Sequence, residues 1–252
     1  MPAMRTPART TASRSLVVVL ACAGILAAVT TIAQLYGFST LAVTREAARS
    51  WIDGHGLYAY RSALGHVGTA LPPPAALLAA PAAFLPLGVA GWLLALAGVA
   101  ALALALIVHA GPIARRHGRR PWPVVLAVGA LGLTLEPIRA AIGLGTLDLL
   151  VFGLICADLV LLRRTTRPPR RLRFLDRRWA GAGIGLATAC SAGSVFFVVY
   201  LLISGQRRPA LVAIGTASTV SLATLAVMPH ETAAWFGEVL WRIDRGGPIE
   251  AT

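Results

Sequence analysis

Long apolar stretches separated by short arginine-rich segments dominate this sequence. The first, Leu16–Tyr36, has the roughly 20 residues that a helix needs to cross a bilayer. Similar stretches cover Gly88–Ala110, 121–135, Gly143–Leu162 and 210–228. The pattern predicts an all-α polytopic membrane helix bundle with about five full spans plus short or re-entrant helices.

Two other apolar stretches do not fit a simple crossing. The first, 72–86, is interrupted by prolines, and short interrupted helices of this kind often line a cavity. The second, Ala180–Ser204, precedes Arg207 and Arg208 and is too short for two full crossings. We interpret it as two half-helices that meet near the sequence CSAGS at 190–194. The alternative is one full span that places these arginines outside.

Charge sets the expected orientation. The chain is 57% hydrophobic and only 13% charged, and its arginines lie mostly between apolar segments. The net charge of +13 therefore indicates cytoplasmic membrane loops and no nucleic-acid partner. We expect a cytoplasmic leader at 1–15, a transmembrane domain at 16–228 with an outer loop at 37–71, and an outer tail at 229–252, in the cytoplasmic (inner) membrane.

The cysteines add no chemistry to this picture. Cys22, Cys156 and Cys190 lie inside apolar segments, where cysteine behaves as a small hydrophobic residue. Neither a disulfide framework nor zinc-ligand spacing is present, so we expect no metal and no cofactor.

Charged residues interrupt the apolar sequence between Leu133 and Arg164. In the predicted topology, Glu136 and Arg139 lie at the outer surface, Asp158 lies near the cytoplasmic arginines, and only Asp148 is embedded. Such groups are expensive inside a bilayer and are candidates for function. Glu136 and Arg139 are three residues apart and could also pair as a structural clamp.

The predicted outer loop contains a further set of polar residues. A short amphipathic helix is expected around Thr44–Ile52, ended by Gly54, and Asp53 between them fits a turn. His230 and Glu231 follow the last span on the same side, where they could contribute to a site or face water.

Five stretches in this order resemble glycosyltransferase family 87, the polyprenol-phosphate-mannose-dependent alpha-1,2-mannosyltransferases. The block from Leu135 to Arg164 is the most specific. The five stretches are REAARSWIDGHGLYAYR, PPPAALLAAPAAFLPLGVAGW, LEPIRAAIGLGTLDLLVFGLICADLVLLRR, GAGIGLATACSAGSVFFVVYLL and PHETAAWFGEVL.

The resemblance implies a GT-C type fold and transfer of mannose from a polyprenyl phosphate donor to a lipid or glycan acceptor outside the membrane. Such a reaction requires a carboxylate base for the acceptor hydroxyl and groups that hold the leaving phosphate. The resemblance assigns Arg139 to the donor phosphate, with Glu136 beside it, and Asp148 and His230 to substrate contacts. Asp148 could instead bond an adjacent helix.

Several positions depart from the family pattern. Thr40 and Thr44 stand where the family has an Asp-x-x-x-Tyr pattern that carries the base, so Asp53 becomes the candidate base. The chain is also shorter than family members and looks like an N-terminal portion or a degenerate member. The rival hypothesis is a non-catalytic membrane protein that binds a lipid carrier or a partner enzyme. A transporter is a weaker third option, because no inverted repeat is visible.

Overall fold

A computed structural model describes residues 8–61, 68–118, 120–166 and 179–241. The remaining parts of the predicted leader, outer loop, arginine-rich loop and outer tail lie outside the described residues. Within those ranges the chain is helical and contains no strand, which confirms the predicted all-α bundle. The helices are α1 (Ala8–Tyr36), α2 (Ser39–Ile52), α3 (Pro73–Ala79), α4 (Leu87–Arg116), α5 (Pro121–Gly132), α6 (Glu136–Leu144), α7 (Asp148–Thr166), α8 (Ala182–Cys190), α9 (Val195–Ile203), α10 (Arg207–Val227) and α11 (Pro229–Gly237).

Three helices are long and apolar enough to cross a membrane: α1 over Val19–Tyr36, α4 and α10. The number rises to four if α5 and α6, which meet at an angle of 76°, form one broken span. α7 is nearly as long but carries Asp148, Asp158, Arg163 and Arg164. The chain is therefore a multi-pass membrane protein, and its third and fourth predicted spans, 121–135 and Gly143–Leu162, fall on bent or charged helices.

Proline and glycine explain the breaks between helices. α3 begins at Pro73 and continues into a 3-10 turn, Ala80–Phe84, before Pro86 precedes α4. This confirms the predicted short piece before one long span. The predicted return helix from Gly143 is divided, because Gly145 adopts a left-handed conformation (φ 72°) that ends α6.

Close glycine contacts show that α8 and α10 run in the same direction. A Cβ atom on Gly181 would lie 2.1 Å from the carbonyl oxygen of Pro209, and one on Gly185 would lie 2.3 Å from that of Ala213. A step of four residues along α8, from Gly181 to Gly185, matches a step of four residues along α10, from Pro209 to Ala213. The two helices are therefore parallel. The short helix α9 between them must return toward the start of α10.

The two half-helices predicted around CSAGS are confirmed. α8 stops at Ser191, which is extended, and a single 3-10 turn over Ala192–Ser194 leads into α9. We call α8, this turn and α9 the re-entrant hairpin. Because α9 returns, Arg207 lies at the end of the bundle where α8 starts. The alternative, one full span over Ala180–Ser204, is therefore wrong.

The two ends of the bundle differ in character. One end, which we call the loop end, carries α2, α3, α6 and α11; the other, the arginine end, carries the ends of α4 and α7 and the start of α10. At the loop end, α2, α3 and α11 share a buried cluster that includes Ala47, Leu57, Met228 and Trp235. Short helices packed on the long ones thus build the loop end, where the candidate site residues lie.

Candidate functional site

Glu136 and Arg139 form an ion pair at the start of α6. An Arg139 nitrogen lies 3.7 Å from Glu136 Oε2, and the Tyr36 hydroxyl donates a hydrogen bond to Glu136 Oε1. The Tyr36 ring packs on Gly143, where a Cβ would lie only 2.4 Å from the ring. The cluster ties the end of α1 to α6, so the pairing expected from the spacing is present. Arg139 remains half-buried and Glu136 exposed.

Asp148 lies at the beginning of α7 and is not enclosed by protein. Its Oδ2 accepts a hydrogen bond from the Thr146 hydroxyl at 2.7 Å, and the residue is exposed. A carboxylate in a first helical turn is favourable, because the backbone N–H groups there carry partial positive charge. α7 begins at this residue, so Asp148 lies at a helix start and not inside the continuous return helix that the sequence predicted; its predicted depth in the membrane stays a prediction.

Asp53 and His230 lie in another part of the loop end. Asp53 ends α2 as an exposed residue, and His230 is exposed in the first turn of α11. Within the described ranges neither side chain makes a hydrogen bond. The loop after α2 does approach α11, since a Cβ on Gly56 would be 4.0 Å from Glu231 Oε1. Asp53 and His230 are thus on neighbouring elements, separate from the Glu136–Arg139 pair.

A cavity of about 280 Å³ lies between α2, α3, α4 and the α6–α7 connection. We call it the loop cavity. Its polar lining residues are Thr40, Thr44 and Thr146, and the rest of its described lining is apolar or glycine. Leu78 and Leu93 line it and are more than half exposed, so the cavity opens on an apolar surface of the bundle. Such a cavity fits a hydrocarbon chain better than a charged group.

Two arginines of α2 donate hydrogen bonds to backbone carbonyl oxygens beside the loop cavity. Arg45 Nε donates to the carbonyl oxygen of Leu85 at 2.8 Å, and Arg49 Nε donates to that of Ala83 at 2.9 Å. Glu46 accepts hydrogen bonds from both arginines, at 2.8 Å and 3.2 Å. These carbonyls end the 3-10 turn and have lost their helical partners there, so the arginines satisfy them. The local sequence pattern does not predict this role, because the bonded carbonyls lie 40 and 34 residues after the arginines.

Asp158 is a buried anchor for the re-entrant hairpin. Its side chain is 1% exposed, and its two oxygens accept hydrogen bonds from the backbone N–H groups of Gly181 at 2.8 Å and Ile184 at 2.9 Å. It thereby caps the start of α8 from a neighbouring helix. The expectation that Asp158 partners cytoplasmic arginines is corrected, because α8 packs on the face of α7 that carries it.

The described residues contain no group of three or more His, Cys, Asp or Glu side chains that could hold a metal ion. The ionisable side chains at the loop end include the exposed carboxylates Asp53, Glu136 and Asp148, the half-buried Glu231, and Arg139.

Comparison with known proteins gives a consistent family match. The model of glycosyltransferase family 87 matches residues 71–251, which include four of the five stretches named above. The polyprenol-phosphate-mannose-dependent alpha-(1-2)-phosphatidylinositol mannoside mannosyltransferase of Mycolicibacterium smegmatis is 29% identical over 226 residues, covering 81% of this chain and 47% of that protein. The protein of the same name from Mycobacterium tuberculosis is 27% identical over 220 residues, covering 79% and 48%. The chain spans about half the length of these relatives, and no solved structure matches it.

Proposed function

This chain belongs to glycosyltransferase family 87, and we propose that it acts in transferring mannose from polyprenyl phosphate mannose to a glycolipid or glycan hydroxyl. We place the reaction at the loop end, on the outer face of the cytoplasmic membrane, with the N-terminus of the chain in the cytoplasm. The arginine end then faces the cytoplasm, as the preference of arginine for cytoplasmic loops requires.

The loop cavity is the observation that carries this proposal. Its apolar lining and its opening beside Leu78 and Leu93 suit the polyprenyl chain of a donor that arrives from the bilayer. α6 carries Glu136 and Arg139 near its start and ends at Gly145, which lines the cavity. Arg139 is our candidate for the cation that holds the donor phosphate, a group that a guanidinium binds with two parallel hydrogen bonds.

The proposed transfer is a displacement at the anomeric carbon of mannose. The acceptor hydroxyl oxygen forms a bond to the anomeric carbon of mannose, the bond from that carbon to the phosphate oxygen breaks, and a carboxylate takes the hydroxyl proton. Arg139 stabilises the phosphate that leaves. Asp53 is our candidate for the base, and its exposure at the end of α2 leaves it accessible to an acceptor. Asp148 and His230 are our candidates for sugar contacts.

One observation favours the rival function. The described lining of the loop cavity contains no ionisable side chain, because Thr40 and Thr44 occupy the α2 positions that face it. A cavity of this kind can bind a polyprenyl chain without catalysing a reaction. The second candidate function is therefore a non-catalytic protein that binds the lipid carrier or assists a partner enzyme.

Transfer of radiolabelled mannose in membranes separates the two functions. Membranes that contain the chain should transfer label from polyprenyl phosphate mannose above an empty-vector control, and Asp53→Asn should abolish transfer if Asp53 is the base. If Asp53→Asn retains transfer, Asp53 is not the base. If the unaltered chain shows no transfer, the proposed enzyme function is refuted.

Donor binding tests the loop cavity independently of catalysis. A photoreactive polyprenyl phosphate should crosslink to the chain, and Leu93→Trp, which fills the cavity, should reduce crosslinking. Leu96→Trp is the matched control, because Leu96 is exposed on the same helix but does not line the cavity. Crosslinking without transfer would favour the carrier-binding function, and equal crosslinking in both variants would refute the assignment of the cavity.

A further inference from the structure

A second cavity, of about 290 Å³, lies at the loop end between the tip of the re-entrant hairpin, α10, α11 and the triple proline that begins α3. We call it the hairpin cavity. Its described lining contains no charged residue. It differs from the loop cavity in its polar groups, which are the hydroxyls of Thr188, Ser221, Thr224 and Thr232 together with the indole of Trp235.

The threonines of the hairpin cavity are oriented as acceptors. Thr188, Thr224 and Thr232 each donate their hydroxyl hydrogen to the backbone carbonyl oxygen four residues earlier, at 2.8 Å in all three cases. Since a hydroxyl has one hydrogen and two lone pairs, what each has left is the capacity to accept. A ligand that satisfies them must therefore bring several O–H or N–H donors.

Trp235 supplies the complementary donor. Its side chain lines the cavity and the residue is only 9% exposed, yet its indole N–H has no hydrogen-bond partner in the described part of the chain. The ring is held in place by stacking on Tyr58, with ring centroids 6.2 Å apart. Because Trp235 lines the cavity, this N–H can donate to an acceptor that a ligand or water provides there.

From these groups we propose that the hairpin cavity binds one uncharged hexosyl unit, as a subsite for the acceptor glycan. This inference rests on the proposed glycosyl transfer. A sugar ring offers several hydroxyl donors for the threonines, oxygen acceptors for the indole N–H, and an apolar face for the aromatic walls. The absence of lining charge among the described residues disfavours the phosphate end of the donor. A hydrocarbon chain would leave the indole N–H and the threonine lone pairs unsatisfied.

Binding of methyl α-mannoside to the 252-residue chain in lipid nanodiscs tests the proposal. Saturation-transfer NMR should detect the glycoside on the unaltered chain, and Thr224→Val and Thr232→Val should each weaken binding roughly 3- to 10-fold, as expected for one lost hydrogen bond. Thr219→Val is the matched control, because Thr219 makes the same bond to Gly215 at 2.8 Å on α10 but is exposed and outside the cavity lining. Its binding should equal that of the unaltered chain.

Three results would overturn the subsite. They are no glycoside signal on the unaltered chain, equal loss in Thr219→Val and the cavity variants, or displacement of the signal by an alkyl chain alone. The binding and transfer experiments distinguish a failure of the subsite from a failure of the proposed function. Mannose transfer without glycoside binding would refute the subsite only, whereas glycoside binding without transfer would refute the transferase function only.

Discussion

Replacement of Asp158 by alanine should destabilise the protein more than any other single carboxylate change in the described helices. The alanine side chain accepts no hydrogen bond, so the backbone N–H groups of Gly181 and Ile184 lose their partners inside the bundle. Water cannot replace the lost bonds there, because residue 158 is 1% exposed.

The magnitude follows from the two orphaned groups. An unsatisfied buried N–H costs about 1–3 kcal/mol, so the loss of two partners in Asp158→Ala should lower the free energy of unfolding by about 2–6 kcal/mol. Asp158→Asn retains one acceptor oxygen and should lose roughly half as much. For a chain of this size, the loss in the alanine variant corresponds to a decrease in Tm of roughly 4–24 °C, and the Tm of the asparagine variant should lie between those of the alanine variant and the unaltered chain.

Thermal unfolding in one detergent, at one scan rate, measures the effect. Asp148→Asn is the matched control, because Asp148 is an exposed carboxylate on the same helix and its partner is a side-chain hydroxyl. Its Tm should stay within about 2 °C of the unaltered chain. A Tm for Asp158→Ala equal to that of the control would refute the reasoning that this carboxylate anchors the re-entrant hairpin.

Three further predictions concern the hairpin and the loop end. Gly185→Ala should lower stability by about 1–3 kcal/mol in chemical unfolding, because its Cβ would lie 2.3 Å from a backbone oxygen of Ala213. Gly193→Ala, where nothing lies within 4 Å, should cost far less, and equal losses would contradict the packing. A cysteine at Gln206, in a chain without other cysteines, should react with an impermeant maleimide only from the cytoplasmic face. Labelling from outside would contradict the proposed orientation of the arginine end. Arg45→Met should cost about 1–3 kcal/mol, measured as reduced resistance to unfolding, because the Leu85 carbonyl loses its donor.

Local sequence patterns predicted much of the fold. Apolar length located the long helices, and the prolines around α3 located its interruption. The half-helices were predictable because Ala180–Ser204 is too short to cross twice, although Ser191 itself carries no strong break signal. The division between α6 and α7 was missed, since a glycine inside an apolar stretch is compatible with a continuous membrane helix until its φ is known.

The tertiary partners of charged residues were not predictable from local pattern. Asp158 bonds groups 23 and 26 residues later, and Arg45 bonds a carbonyl 40 residues later. Spacing along one helix predicted the Glu136–Arg139 pair, because those residues are three apart. The threonines of the hairpin cavity give no local signal, because Thr188, Thr224 and Thr232 look like ordinary membrane-helix threonines until three elements bring them together.

The parallel contact between α8 and α10 limits how the length of α8 can vary among relatives. Each residue added to a helix turns it by about 100° and lengthens it by about 1.5 Å. One insertion between Gly181 and Gly185 would turn one glycine away from α10 and present a side chain to a backbone oxygen. Insertions and deletions should therefore be rare from Gly181 to Cys190 and tolerated at Ala192–Ser194, where Gly193 has open space around it.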